Sequence, residues 1–347
     1  MALPKNDAFV FNDTKIQPGE RASMDLIVGQ LYTHTPVSMS VEVFNGKYAG
    51  PTIFVSAAIH GDELNGIEII RRLLRLPALK RLRGTLIAIP IVNVLSVVHG
   101  SRYLPDRRDL NRCFPGTKKG SLASRMANTF MTQVVKKCDY GIDLHTGAIH
   151  RSNFPQIRAS ITDKDMQNLA MAFDAPVIIN SGLTKGTLRT AAAKKKIPVI
   201  TYEAGEALRF DETGIRGGVK GIVNVMRFIG MLPKVKKKET HKKPVIAVEN
   251  RWVRAPESGI YHSTLKLGAH VSKGQMLGTI SSPYSDKEIN IISPHSGLVI
   301  GMTKLPLVHG GDAVMHIARV EKPKLAKAKV QAFMQRHSTP GITTRRK

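Results

Sequence analysis

Cysteine is scarce: Cys113 and Cys138 are the only two in 347 residues. Two cysteines cannot build a disulfide framework, so a reduced, cytoplasmic setting is expected. Aromatic residues make up 5% of the chain, with a single Trp. No basic segment is interleaved with the stacking aromatics that grip single-stranded nucleic acid. No apolar run approaches the length that spans a bilayer. The opening MALPKNDAFVFNDTK has no apolar h-region, so no signal peptide is expected. Acidic residues are also few: 26 Asp and Glu face 52 Lys and Arg, a net charge of +26. Such a balance speaks to partners rather than fold. It favours anionic ones: an acidic small molecule or peptide, nucleic acid, a ribosome or acidic lipid heads.

What is present is organised around Ile53–Ile70, IFVSAAIHGDELNGIEII. It begins as a buried strand and ends as a helix with Leu64, Ile67 and Ile70 on one face. His60 and Glu63 stand at the handover, where open α/β sheets bind ligands. Apolar runs at 84–92, 140–144, 176–179 and 198–202 read as further strands, with helical patterns at 121–135 and 217–231. This is an α/β layer plan over residues 1–233. A lysine-rich connector covers 234–245, with Lys234, Lys236, Lys237, Lys238, Lys242 and Lys243. From 246 to 320 the texture is all-β, and an internal repeat marks it. Pro256-Glu-Ser-Gly259 recurs as Pro294-His-Ser-Gly297, and Val271-Ser-Lys-Gly274 as Val308-His-Gly-Gly311. This half resembles lipoyl and biotinyl barrel-sandwich modules. Residues 321–347 read as a frayed helix and a basic tail able to meet an anionic macromolecule.

The chemistry gathers at four places. His60-x-x-Glu63 alone is compatible with helix capping and solvation. Asp143-Leu-His145 ends a strand, and alternation puts Asp143 and His145 on one face. His145 offers a third ligand, and Asp143 a carboxylate for a ligand histidine's ring N–H. Two histidines and a carboxylate with one position left open suit hydrolytic zinc. Glu203, in Thr201-Tyr-Glu-Ala-Gly205, is a strand-end carboxylate suited to accept a proton; its bland reading is a solvated edge residue. The loop SRYLPDRRDLNR supplies arginines able to clamp a carboxylate and polarise a carbonyl, or simply a basic surface. Lys287, in a turn between the repeats, reads as an exposed lysine rather than a carrier site. Cys113 reads as space-filling despite its neighbour Arg112, and His309 and His316 as structural.

HGDELNG, DLNRCFPG, DLHTG and ITYEAGE, in this order, resemble the succinylglutamate desuccinylase/aspartoacylase family, itself related to the zinc carboxypeptidases. The resemblance covers about residues 40–230 closely, and the trailing β-domain also fits family members. It implies a zinc-exopeptidase-like mixed sheet with flanking helices. It implies one zinc held by His60, Glu63 and His145, and Glu203 as general base. Asn111 and Arg112 fall on the family's carboxylate clamp. The carbonyl-polarising arginine falls on Arg102, with Arg108 the alternative. The implied reaction is hydrolysis of an N-acyl amino acid amide, here an acidic one, or of a C-terminal peptide bond, as in trimming glutamates from an acidic tail. The basic stretch Ile149–Arg158 departs from the small-substrate pattern and adds positive charge near the site. A different class of reading, a ribosome- or nucleic-acid-binding protein on an idle hydrolase fold, draws on the charge alone. The intact set His60, Glu63, His145 and Glu203 argues against it.

Overall fold

The computed structural model describes residues 3–161, 163–235 and 243–338. Among these, twelve strands form one mixed sheet. From edge to edge they are His270–Val271, Gly297–Thr303, Ala313–Val320, Val245–Arg254, Val177–Asn180, Arg151–Ala159, Val199–Glu206, Tyr140–Gly147, Tyr48–Ala57, Arg83–Ile89, Pro36–Asn45 and Arg21–Gln30. The four strands Val199–Glu206, Tyr140–Gly147, Tyr48–Ala57 and Arg83–Ile89 run parallel. Parallel strands are covered on both faces, which is why these runs are apolar throughout. Ile53 and Val55 pack into one core cluster with Ile69, Phe173 and Ile222. Phe54 faces the other cluster, with Met126 and Phe130. The register sets Ser56 beside Asp143, and Glu203 beside His145. The carboxyl ends of three strands therefore meet at one place.

The helices are started by side chains the chain places at their ends. Ser121, Asp163, Thr187 and Asp211 each accept a backbone N–H in the first turn of Leu122–Gln133, Lys164–Phe173, Leu188–Ala193 and Glu212–Phe228. Each such cap contributes about 1 kcal/mol. The last of these helices starts five residues earlier than the periodicity suggests. Its glycines are points of close approach: a Cβ on Gly218 would lie 2.5 Å from Ile69, and one on Gly221 2.1 Å from Phe173.

Most of the stretch Ile149–Arg158, expected only to add positive charge near the site, lies in a strand, Arg151–Ala159. It runs antiparallel to Val199–Glu206. Glu203 pairs with Gln156 but Gly205 with Asn153, so three steps on one strand match two on the other. The extra residue is a bulge, which breaks the alternation of faces. Asn153, Gln156 and Arg158 consequently all reach Glu203.

Beyond Pro233, Lys236, Lys237, Lys238 and Lys242 of the expected connector lie outside the described residues. The next strand, Val245–Arg254, joins the main sheet between Val177–Asn180 and Ala313–Val320. The repeat is visible as exchanged pairing. Val271 pairs with Gly297, and Val308 with Gly259, so each short strand crosses to the opposite copy. Gly274 and Gly311 both take φ values near the left-handed region, +81° and +91°. A second sheet orders Glu288–Ile292, Met276–Ser281, Gly259–His262 and Leu307–Val308. The helix Pro323–His337 is docked through Ala326 and Phe333, and the buried Lys329 pairs with Asp174. Residues 339–347 of the expected tail lie outside the described residues.

Candidate active site

Ala58 leaves its strand at φ +53°, a conformation that costs an L residue and recurs at functional turns. A Cβ on Gly61 would lie 2.0 Å from the Ser96 carbonyl carbon. Only glycine lets the His60–Glu63 turn press against the short helix Val94–Val98. His60, Glu63 and His145 are buried there, with donor atoms all within 4.8 Å of one another. Both imidazoles turn Nδ1 toward Glu63, His60 at 2.7 Å from Oε1 and His145 at 2.8 Å from Oε2. Both turn Nε2 toward another carboxylate, Asp109 at 3.0 Å and Asp143 at 2.6 Å. A carboxylate on Nε2 fixes the proton there and leaves the Nδ1 lone pair for a cation. The backing continues outward. Ser56 Oγ donates to Asp143 at 2.8 Å, the Asn111 N–H donates to Asp109 at 2.8 Å, and the Thr146 N–H donates to Glu63 at 3.0 Å.

Burial opposes protonation of both histidines. Glu63, with Asp109 on His60 and Asp143 on His145, outweighs it and raises both above the ordinary value. Burial also opposes ionisation of Glu63, and the two imidazoles overcome it, holding the carboxyl well below its usual range. Asp109 is depressed as well: burial opposes its charge, and His60 and Arg102 prevail. The cluster thus stabilises positive charge at its centre. A divalent cation fits such a donor set, entering as the ring protons leave.

Arg102 donates to Asp109 at 3.0 Å and to Glu63 at 3.3 Å. It lines the same cavity of about 300 Å³ as His60, Glu63, His145, Asn111, Arg112 and Glu203. Asn111 Oδ1 accepts the Leu188 N–H at 2.9 Å, and Arg112 donates to the Asn111 carbonyl at 2.7 Å. Among the described residues the Asn111 amide NH₂ has no acceptor, which leaves it as a donor group. Arg108 lies outside the cavity, exposed and 3.8 Å from Asp106. Cys113 is pushed up by burial and by Asp106, so it is no activated thiolate. Lys287 forms an ion pair with Glu257 at 2.7 Å, and His316 Nε2 meets Asn250 at 2.9 Å.

Glu203 is not the lone carboxylate its strand-end position suggests. Asn153 donates to Oε2 at 2.7 Å, and Arg158 Nε lies 2.8 Å from Oε1. Several lining residues were invisible in the sequence. Arg189 sits in the unremarkable helix Leu188–Ala193, pinned to Ser181 Oγ at 3.0 Å. Burial, then the charge of Arg158, lowers its pKa, with Glu203 and Asp143 opposing. Trp252 comes from the all-β half, between Arg151, whose guanidinium stands 5.2 Å from its ring, and the stacked His316. The single tryptophan was a signal of a kind, but nothing local tied it to His60.

A mixed α/β sheet with a buried His–Glu–His cradle at its strand ends defines the class: a fold able to seat a metal beside a carboxylate and a set of arginines. More particularly, the chain belongs to the succinylglutamate desuccinylase/aspartoacylase family, whose catalytic domain matches residues 49–229. An N-alpha-acetyl-L-2,4-diaminobutyric acid deacetylase of Halomonas elongata is 27% identical over 244 residues, 67% of this chain and 70% of the relative. A succinylglutamate desuccinylase/aspartoacylase from Rhodobacter sphaeroides shares the fold with a TM-score of 0.78 at 24% identity, covering 87% of this chain and 96% of that one. The product-bound ectoine utilization protein EutE (DoeB) of Ruegeria pomeroyi does so at 0.77 and 24%, covering 92% and 99%. Family membership makes the chain a deacylase-type hydrolase of amide bonds. Among the described residues no helix is long and apolar enough to cross a membrane.

Proposed function

We propose that the chain is a zinc-dependent hydrolase that cleaves the amide bond of an N-acyl acidic amino acid. The observation that carries this reading is the convergence of both Nδ1 atoms on Glu63, each imidazole backed by a carboxylate. His60, Glu63 and His145 hold the zinc, which supplies Lewis acidity to the reaction. Asn111 and Arg112 clamp the amino-acid carboxylate, the guanidinium bidentately. Arg102, tied to Asp109, polarises the scissile carbonyl from a fixed position. Glu203 takes a proton on Oε1 from the water that attacks the acyl carbon, because Oε2 is already committed to Asn153, and returns it to the leaving amine as the C–N bond breaks. The arginines around the cavity select acidic substrates. On this reading residues 1–233 form the catalytic domain and 246–320 a barrel-sandwich-like module whose Trp252 closes the cavity rim. Two free cysteines suit a cytoplasmic setting.

The test is Glu203→Gln with metal analysis and turnover of N-acyl acidic amino acids. The variant keeps about one zinc per chain, by the ligand logic of a three-residue site, and loses roughly 100-fold or more in turnover. Near-normal turnover removes Glu203 from the role. Wild-type protein without stoichiometric zinc, or with full metal retained in His145→Ala, removes the metal assignment.

A further inference from the structure

Arg158 stands out among the arginines of the cavity. Its Nε is 2.8 Å from Glu203 Oε1, yet the N–H is not directed at that oxygen. This buried donor has no hydrogen-bond acceptor among the described residues. Its neighbours, by contrast, are engaged: Arg102 with Asp109, Arg112 with the Asn111 carbonyl, and Arg189 with Ser181. A buried guanidinium N–H left unpaired is costly unless a ligand completes it. Arg158 and Arg189 lie close enough to oppose each other, and Glu203 is the acid that lies against Arg158. The wall therefore carries more positive charge than its own carboxylates match.

We infer that Arg158 is the specificity-determining residue for a second carboxylate on the substrate, and that this carboxylate displaces Glu203 from it. The inference rests on the proposed hydrolase reading for its meaning, but its geometry is independent of it. In the free enzyme, the ion pair holds Glu203 against Arg158. A substrate whose side-chain carboxylate reaches Arg158 offers a planar, bidentate partner with N–H groups aligned to it. Glu203 then turns away from the guanidinium, still held at Oε2 by Asn153. Only a substrate with this charge completes the exchange, so recognition and the release of the base coincide. The bulge in Arg151–Ala159 is what makes this possible, since it brings Asn153 and Arg158 to the same carboxylate from one strand.

The test is calorimetric binding of L-glutamate and L-glutamine, near-isosteres that differ by one charge and carry no N-acyl group to hydrolyse, to zinc-loaded protein. Wild type prefers the glutamate by at least about tenfold, on the scale of a charge-assisted contact. Arg158→Gln cuts that preference to within about threefold, and Arg158→Lys, which keeps the charge but not the fork, falls between. Glu203→Gln binds the glutamate several-fold more tightly than wild type, because the competing carboxylate is gone. That gain vanishes in the Arg158→Gln background, the coupling a double-mutant cycle reads. A wild-type protein without the preference, or a preference surviving Arg158→Gln, overturns the inference. So does a Glu203→Gln gain that persists without Arg158. Because these ligands are not turned over, a preference set by Arg158 in a protein that hydrolyses no N-acyl-L-glutamate would count against the proposed substrate and leave this inference standing.

Discussion

Asp143→Asn replaces one oxygen with an NH₂ of nearly the same shape, in a residue 1% exposed. The two oxygens of Asp143 now do different jobs: Oδ2 accepts from His145 Nε2 at 2.6 Å and Oδ1 accepts from Ser56 Oγ at 2.8 Å. The amide can keep only one of them. If its oxygen stays with Ser56, its NH₂ points at His145 Nε2, which must then accept. The ring proton moves to Nδ1, the atom a metal needs. If the amide flips, its oxygen serves His145, and its NH₂ donates to Ser56 Oγ. The Ser56 hydroxyl, fully buried, then has to find a new acceptor. An orphaned buried donor costs about 1–3 kcal/mol, and loss of a backing carboxylate typically costs 10–100-fold in metal affinity. Both routes predict a comparable loss, and the cheaper one sets it. The assay is zinc affinity by competition with a chromophoric chelator, with thermal unfolding as a check on folding. Ser56→Ala/Asp143→Asn should recover part of the loss, because removing the hydroxyl frees the flip. Zinc affinity of Asp143→Asn within twofold of wild type, or a double variant worse than the single one, would refute the reasoning.

Other outcomes follow from the same geometry. In metal-free protein His60 and His145 have raised pKa values, so their contribution to stability is fully present below the unfolded value near 6.5 and is lost as pH rises through the folded values. The thermal midpoint of chelator-treated protein should therefore fall on the alkaline side of that value. Zinc affinity should rise over the same range as competing protons leave, and a midpoint that climbs with pH in the absence of metal would contradict this. In the core, a Cβ on Gly141 would lie 2.2 Å from the Phe54 ring, which is fully buried and edge-on to Phe130. Gly141→Ala should lower stability by about 1–3 kcal/mol in urea unfolding. Shrinking the ring with Phe54→Leu in the same chain should relieve part of that cost, and strictly additive losses would count against the packing argument.

Much of the site was legible because its residues sit inside local patterns. His60 and Glu63 follow a strand of Ile, Phe and Val and precede an apolar helical face. Asp143 and His145 lie two apart on a strand, so alternation alone sets them on one side. In the structure they pair at 2.6 Å, a contact that the shared face allows. The strand–helix alternation was equally plain, since buried parallel strands are apolar on both faces. The repeat after residue 246 was readable as well, because the same turn needs the same glycines twice.

Other features depend on which distant segments meet, and no local pattern encodes that. Asp109 belongs to a charged loop, and only folding brings it to His60 Nε2. Arg108, one residue earlier in the same loop, turns out to solvent. The stretch 149–158 carries Arg151 and Arg158 with Pro155 between them, so nothing local marks it as a strand. It becomes a strand because its backbone finds partners on both sides, Val199–Glu206 and Val177–Asn180. One extra residue opposite Ala204 reverses its alternation, which composition cannot reveal. Trp252 reaches the cavity because Val245–Arg254 adds to the main sheet. Sequence by itself determined the central strands and their helices, the metal-ligand candidates and the family likeness, since these rest on short-range periodicity and on residue types at fixed spacing. Tertiary structure alone decided which arginines line the cavity and what holds Glu203, because those depend on long-range strand pairing and register.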